Sequence, residues 1–276
     1  MTEKISIVTD EISRDLADCE TFLEEHGLHA VELRCISGKR VPEVEPRDRE
    51  RLLDWSRRGD PVIVAVSPGL FKCRVDDHAE IKRHLEEVLP DTLDLALELN
   101  AENLISFTLQ ASREGGFPKH ALEALNRAAE ACAEANISLL LENEPGYLGE
   151  TAAGTVELIR RVGHQNLFLN WDPTNGNEFK TPALDVAAGV IAPYLRNVHV
   201  KNGILAPGEI FARCCSLKAG AIDWTAHLES LKALGYEGYF ALETHYLPAR
   251  EGSVEILGEL RQMLAEVSYS WPEQED

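Results

Sequence analysis

Residues 137–146 read ISLLLENEPG. From Ile137 to Leu141 the stretch is short, apolar and strand-like, and then it breaks into Glu142, Asn143 and Glu144. Carboxylates are seldom buried without a partner, so the strand either surfaces into solvent or delivers charge to a site. The rest of the chain decides between these, because the pattern recurs. Short runs rich in β-formers occupy residues 4–9, 29–34, 61–67, 103–108, 137–142, 167–172, 195–201 and 239–243, most of them bounded by turn residues.

Helical patterns fill the intervals. They cover 13–26 (Ser cap, stopped by Gly27), 47–58 (stopped by Gly59), 76–99 (kinked or split at Pro90) and 118–135 (starting on a proline). Four more cover 151–162 (stopped by Gly163), 182–194, 223–234 (stopped by Gly235) and 254–267. Eight strands thus alternate with eight helices at a period of about 34 residues, with no linker-like segment. An open doubly wound sheet competes, but eight regular units favour closure. The expectation is one domain over residues 1–276, a single (β/α)8 TIM barrel with a closed eight-stranded parallel sheet.

Bulk composition narrows the function classes. The 276 residues are 44% hydrophobic and 27% charged, enough for one sizeable core. A formal charge of −20 and a pI near 4.9 repel phosphate backbones, and the Lys and Arg residues are dispersed, so no nucleic-acid partner is expected. No apolar run approaches the roughly 18 residues of a bilayer span, and the opening MTEKISIVTDEIS enters a strand rather than a signal segment. The cysteines at 19, 35, 73, 132, 214 and 215 form no Cys-x-x-Cys pair, and Cys214-Cys215 reads as two half-buried thiols rather than a redox device. A cytoplasmic chain with no membrane partner is expected.

In such a barrel the active site lies at the C-terminal ends of the strands. Polar residues gather there: Asp10 and Glu11, Glu32 and Arg34, Ser67 and Lys72, Thr108 and Gln110, then Glu142, Asp172, His199 with Lys201, and Glu243. Glu142, Asp172, His199 and Glu243 come from four consecutive strands, and alternation lets each point inward above Leu140, Asn170, Asn197 and Ala241. Three carboxylates meeting at one rim repel unless a cation sits among them. The four therefore read as ligands of one divalent metal ion. Oxygen-rich ligation with one nitrogen suits Mn²⁺ first, then Mg²⁺ or Co²⁺, with Zn²⁺ still open. Lys201 shares the inward parity and could polarise a substrate oxygen.

With these residues in view, the chain resembles the xylose-isomerase-like TIM-barrel superfamily, the sugar phosphate isomerase/epimerase group. The resemblance rests on VTDEIS (8–13), AVELR (30–34), LLLENEPG (139–146), LNWDPTNG (169–176), NVHVKNG (197–203), GAIDW (220–224) and GYEGYFALETHY (235–246), in that order. It implies Glu142, Asp172, His199 and Glu243 as metal ligands, and Glu142 and Glu243 as catalytic acid/base groups on opposite faces of a bound sugar or sugar phosphate. The implied reaction passes through a cis-enediolate, one glutamate taking a proton and the other returning it.

The resemblance also bears on the substrate contacts. Arg213 stands where relatives show an Arg before Gly-Glu-Gly, although here Lys218-Ala219-Gly220 lacks the acid. Asn175 replaces a frequent histidine and is assigned a substrate hydrogen bond without a metal role. Arg34 and Lys72 could meet a phosphate or carboxylate, Glu144 could touch substrate at the rim, and His245 could reach the rim. Trp171 and Trp224 read as packing residues. Apurinic-site endonucleases of the superfamily need further histidines where this chain has Ser67, Thr108–Gln110 and Asn175, which argues against DNA cleavage. A dehydratase of the inosose or 3-dehydroshikimate type is the nearest rival, since it also begins by forming an enolate, and a non-catalytic sugar-binding barrel is another. Members of the superfamily often associate, which leaves a homo-oligomer open, but no interface is legible.

Overall fold

The computed structural model describes residues 3–112, 115–175, 189–209 and 211–271. Strands β1 (Ile5–Val8), β2 (Ala30–Leu33), β3 (Val62–Leu70), β4 (Asn103–Ser106), β5 (Ser138–Glu142), β6 (Leu167–Trp171), β7 (Leu195–Val200) and β8 (Tyr239–Leu242) close into one barrel. Every neighbouring pair is parallel, and β8 returns to β1, so no edge is left open. Strands buried on both faces explain the near-continuous apolar runs. One face of each strand meets the large core beneath the helices, while Ala65, Ile105 and Leu140 form a small separate cluster.

Register carries the polar rim. Glu142 pairs with Asn170, Asn170 with Asn197, and His199 with Ala241, which places the strand ends level around the mouth. Glu142 is the last residue of β5 and His199 the penultimate residue of β7, while Asp172 and Glu243 each follow the last residue of their strands.

The helices are α1 (Leu16–His26), α2 (Pro46–Arg58), α3 (His78–Arg83), α4 (Leu89–Glu98), α5 (Lys119–Glu134), α6 (Ala152–Val162), α7 (Trp224–Ala233) and α8 (Ala249–Glu266). Gly27, Gly59 and Gly163 cap α1, α2 and α6 in the left-handed conformation, as expected. Three boundaries differ from the sequence reading. The α1 cap is Asp15, which accepts from Ala17 N at 2.8 Å, whereas Ser13 is engaged with Asp18. The segment around Pro90 divides through a π turn, His84–Val88, which absorbs the hydrogen bond the proline cannot donate.

The third difference is at α8, which begins before Val254. Gly252 and Ser253, which look like helix breakers, are there because space demands them. A Cβ on Gly252 would lie 2.2 Å from the Tyr246 carbonyl oxygen, and Ser253 Oγ donates to the Glu11 carbonyl at 2.9 Å. The helix expected over 182–194 lies partly outside the described residues; of its described part, 189–194, residues 189–191 are helical and 192–194 form a turn. Among the described residues no helix is long and apolar enough to cross a membrane.

Candidate metal centre and the cavity above it

Glu142, Asp172, His199 and Glu243 are all buried, and each offers one ligand atom within 4.8 Å of the others. The strands deliver them, but side chains beneath and beside the rim aim them. Asn143 extends the β5–β6 ladder by one step, its amide donating to the Asp172 carbonyl at 2.8 Å and its oxygen accepting from Asp172 N at 2.9 Å. The Asp172 Oδ1 atom is then occupied by the backbone amides of Thr174 and Asn175, at 2.8 and 3.2 Å. Oδ2 is left facing the centre. It accepts no well-formed hydrogen bond, although Lys201 Nζ stands 2.6 Å away.

His199 is fixed from below. Glu32 on β2, 1% exposed, reaches across the barrel so that its Oε2 lies 3.0 Å from His199 Nε2, while its Oε1 accepts from Asn197 at 2.7 Å. That partner makes Nε2 the protonated nitrogen and turns Nδ1 upward, 3.5 Å from Glu142 and 3.3 Å from Glu243. A carboxylate behind a metal-binding imidazole sets its tautomer and basicity in this way.

Glu243 is gripped from the other side. Lys201 Nζ lies 2.8 Å from its Oε2, and the Arg34 guanidinium bonds its Oε1. Arg34 also binds Asp10 and Glu11, and Glu11 in turn lies 2.7 Å from His245 Nδ1, tying the ends of β1, β2 and β8 together.

The electrostatics follow from this crowding. Burial alone would raise the Glu243 carboxyl, but Lys201, His199 and His245 outweigh it and hold it well below the usual range. Burial pushes Asp172 up, with Glu243 and Glu142 adding to the push and Lys201 opposing it. Burial would strip the proton from His199, yet Glu243, Glu142 and Glu32 keep it on. The Glu144 carboxyl is pushed up to about 7, first by burial and then by Glu142.

The four residues fit a divalent ion. Three carboxylates and one imidazole nitrogen converge, the outer atoms of Asp172 and His199 are already held, and Asp172 Oδ2 faces the centre with Lys201 Nζ beside it. Lys201 Nζ stands between Asp172 and Glu243 and would move aside for the ion.

A cavity of about 790 Å³ opens above the centre, lined by Glu142, Glu243, Asn175 and Lys201 on one side and by residues that follow β2 and β3 on the other. Asn175 donates to Glu142 at 3.3 Å and to Glu144 at 2.8 Å, and Lys72 stands 3.8 Å from Glu144. Arg213 is not among these residues. It lies on a short ribbon (Asn202–Ile204 with Arg213–Cys215), its side chain largely exposed and 3.8 Å from Glu209. Trp171 and Trp224 are buried in the core.

A family model described as xylose isomerase-like TIM barrel matches residues 21–266. The chain belongs to that family. A relative from Methanocaldococcus jannaschii, itself uncharacterised, is 23% identical over 262 residues, covering 88% of this chain and 84% of its own. Among solved structures, the IolI protein with a bound zinc atom superposes with a TM-score of 0.78 at 16% identity, covering 98% of this chain and 100% of that one. An L-ribulose 3-epimerase gives 0.74 at 18% identity, covering 97% and 96%. At such identities the likeness to these structures is one of fold alone.

Sequence reasoning left three residues of the centre without a role. Glu32, Asn197 and Glu11 are buried polar side chains within or just after strands. Their signal was an acid or amide at an inward position of an otherwise apolar run, as in AVEL (30–33).

Proposed function

We propose that this protein is a divalent-metal-dependent isomerase or epimerase of a sugar, sugar phosphate or related keto-polyol. The observation that carries the reading is the convergence of Glu142, Asp172, His199 and Glu243 at the floor of a cavity large enough for a sugar. Glu142, Asp172, His199 and Glu243 would hold the ion, with Mn²⁺ as the first candidate. When bound, it supplies Lewis acidity toward an adjacent carbonyl and hydroxyl, acidifying the C–H between them.

The chain's own residues do the rest. Glu243, kept ionised by its cationic neighbours, accepts the proton from the substrate carbon on its side of the cavity. Glu142, three strands away around the ring, returns a proton to the opposite face of the planar enediolate. Return to the same carbon inverts it, and return to the neighbouring carbon, with the hydroxyl proton passing to the former carbonyl oxygen, moves the carbonyl. Lys201, displaced from between Asp172 and Glu243 but still lining the cavity, donates toward the developing enediolate oxygen. Asn175 restrains Glu142 and presents its amide to the cavity. The free cysteines are in keeping with a reducing, cytoplasmic setting.

Solvent deuterium exchange tests this directly. A panel of ketoses and ketose phosphates is incubated in D₂O with and without Mn²⁺. Label entering the carbon beside the carbonyl without loss of water supports the reading. Elimination of water would assign a dehydratase, and no exchange on any member would leave only a sugar binder.

A further inference from the structure

Five basic side chains, Arg34, Arg40, Lys72, Arg74 and Lys201, line the main cavity. Four of them face acids within the protein. Arg34 faces Asp10, Glu11 and Glu243; Lys201 faces Asp172 and Glu243; Arg74 grips Asp76; and Lys72 stands 3.8 Å from Glu144. Arg40 is the exception. Among the described residues no carboxylate oxygen comes within 4.0 Å of its guanidinium.

Arg40 is nonetheless held in place. Its Nε donates to the Ser67 carbonyl at 3.0 Å and its Nη2 to Ser67 Oγ at 3.2 Å. Gly69, in the left-handed conformation, lets the guanidinium lie against the end of β3, since a Cβ there would sit 3.0 Å from Arg40 Nε. Only part of the side chain is exposed, and burial, with Arg34 adding to it, pushes the guanidinium below its ordinary range. A cation withdrawn from water is costly unless a counter-charge meets it. Here the protein supplies geometry but no carboxylate in contact, Glu142 and Asp10 acting only from a distance, and the unused N–H groups belong to a residue that lines the cavity.

Topology gives this cation its meaning. Arg40 lies on the ribbon Cys35–Ile36/Lys39–Arg40, which follows β2, and packs on β3. The four candidate ligands lie on β5 to β8, across the mouth. Reacting carbons held at the ligand side leave the far end of a substrate pointing toward β2 and β3. We propose that Arg40, assisted by Lys72, binds an anionic terminus of the substrate, a phosphate or a carboxylate. The word substrate rests on the isomerase reading above, whereas the anion site itself does not. A planar guanidinium suits bidentate recognition of either group. In a chain of net charge −20, a cation without an acid beside it at the mouth would also draw anions to this one place.

Calorimetric titration of metal-stripped protein with inorganic phosphate, and separately with glycolate, tests the proposal. Wild-type protein should bind one of the two, and Arg40→Gln should weaken that binding at least about tenfold, the loss of one charge-assisted contact. Arg40→Lys should fall between them. Preference for phosphate points to a sugar phosphate, and preference for glycolate to a sugar acid. Lys72→Gln, at a more exposed position, should weaken the same anion several-fold and carries the test if Arg40→Gln does not fold. Failure of wild-type protein to bind either anion overturns the proposal, as does equal binding by wild type and Arg40→Gln. Mn²⁺ titrations run in parallel keep the two readings apart. Anion binding by a protein indifferent to Mn²⁺ would sink the metal-dependent isomerase and leave the anion site standing.

Discussion

Glu142 and Glu144 lie two residues apart at the end of one strand, yet their surroundings divide their work. Glu142 faces His199 Nδ1 and takes one hydrogen bond from Asn175, while Glu144 lies outside the four-ligand centre and is pushed up to about 7 by burial and by Glu142. Replacing Glu142 or Glu243 with Gln should lower kcat about 10²–10⁴-fold, the usual worth of a positioned acid or base, with the far-UV circular dichroism unchanged. Glu144→Gln should alter KM more than kcat, as read from steady-state rates on the same ketose. Glu142, Glu243 and the other two candidate ligands were legible because each ends or closely follows an apolar strand at the same rim. Glu32 interrupts a strand too, but its partner His199 is 167 residues away. The sequence shows that such an acid is buried and cannot show which imidazole it meets. Arg34 was legible as a rim cation, whereas the three carboxylates that occupy it appear only in three dimensions.

Elements were legible through period and caps, and the differences arose where tertiary contacts override local preference. Gly252 and Ser253 inside α8 are required by the close approach of Tyr246 and Glu11. Similar constraint appears just past β7. The Asn202 side chain donates to the Leu217 and Ile222 carbonyls at 2.7 and 2.8 Å and accepts from the Gly203 and Ile222 amides at 2.9 and 3.0 Å. It locks the returning loop onto the strand that carries His199 and Lys201. Asn202→Ala should strand several buried backbone groups and cost about 2–4 kcal/mol in urea unfolding. Gly220→Ala should destabilise as well, because a Cβ there would meet Asn202 Oδ1 at 2.1 Å. An Asn202→Ala protein as stable as wild type would show that the loop is held by other means.

At the scale of the whole molecule, eight parallel strands gather charges from distant parts of the chain onto one rim, and the rim's balance governs both stability and chemistry. Burial alone would raise the Glu11 carboxyl, but His245 and Arg34 lower it from an ordinary 4.5 to about 2. A lowered carboxyl stabilises the fold above its unfolded value and loses that contribution as pH falls through the folded one. Wild-type protein should therefore lose on the order of 3 kcal/mol from this group as pH falls from 4.5 to about 2. Glu11→Gln should flatten that part of a urea-unfolding profile against pH, and identical profiles would contradict it. The centre itself is tested most directly by counting metal. Elemental analysis of the purified protein, before and after saturation with Mn²⁺ and desalting, should find about one divalent ion per wild-type chain and a marked loss in Asp172→Asn. Wild-type protein that retains no ion, with a melting temperature unmoved by added Mn²⁺, would contradict the account.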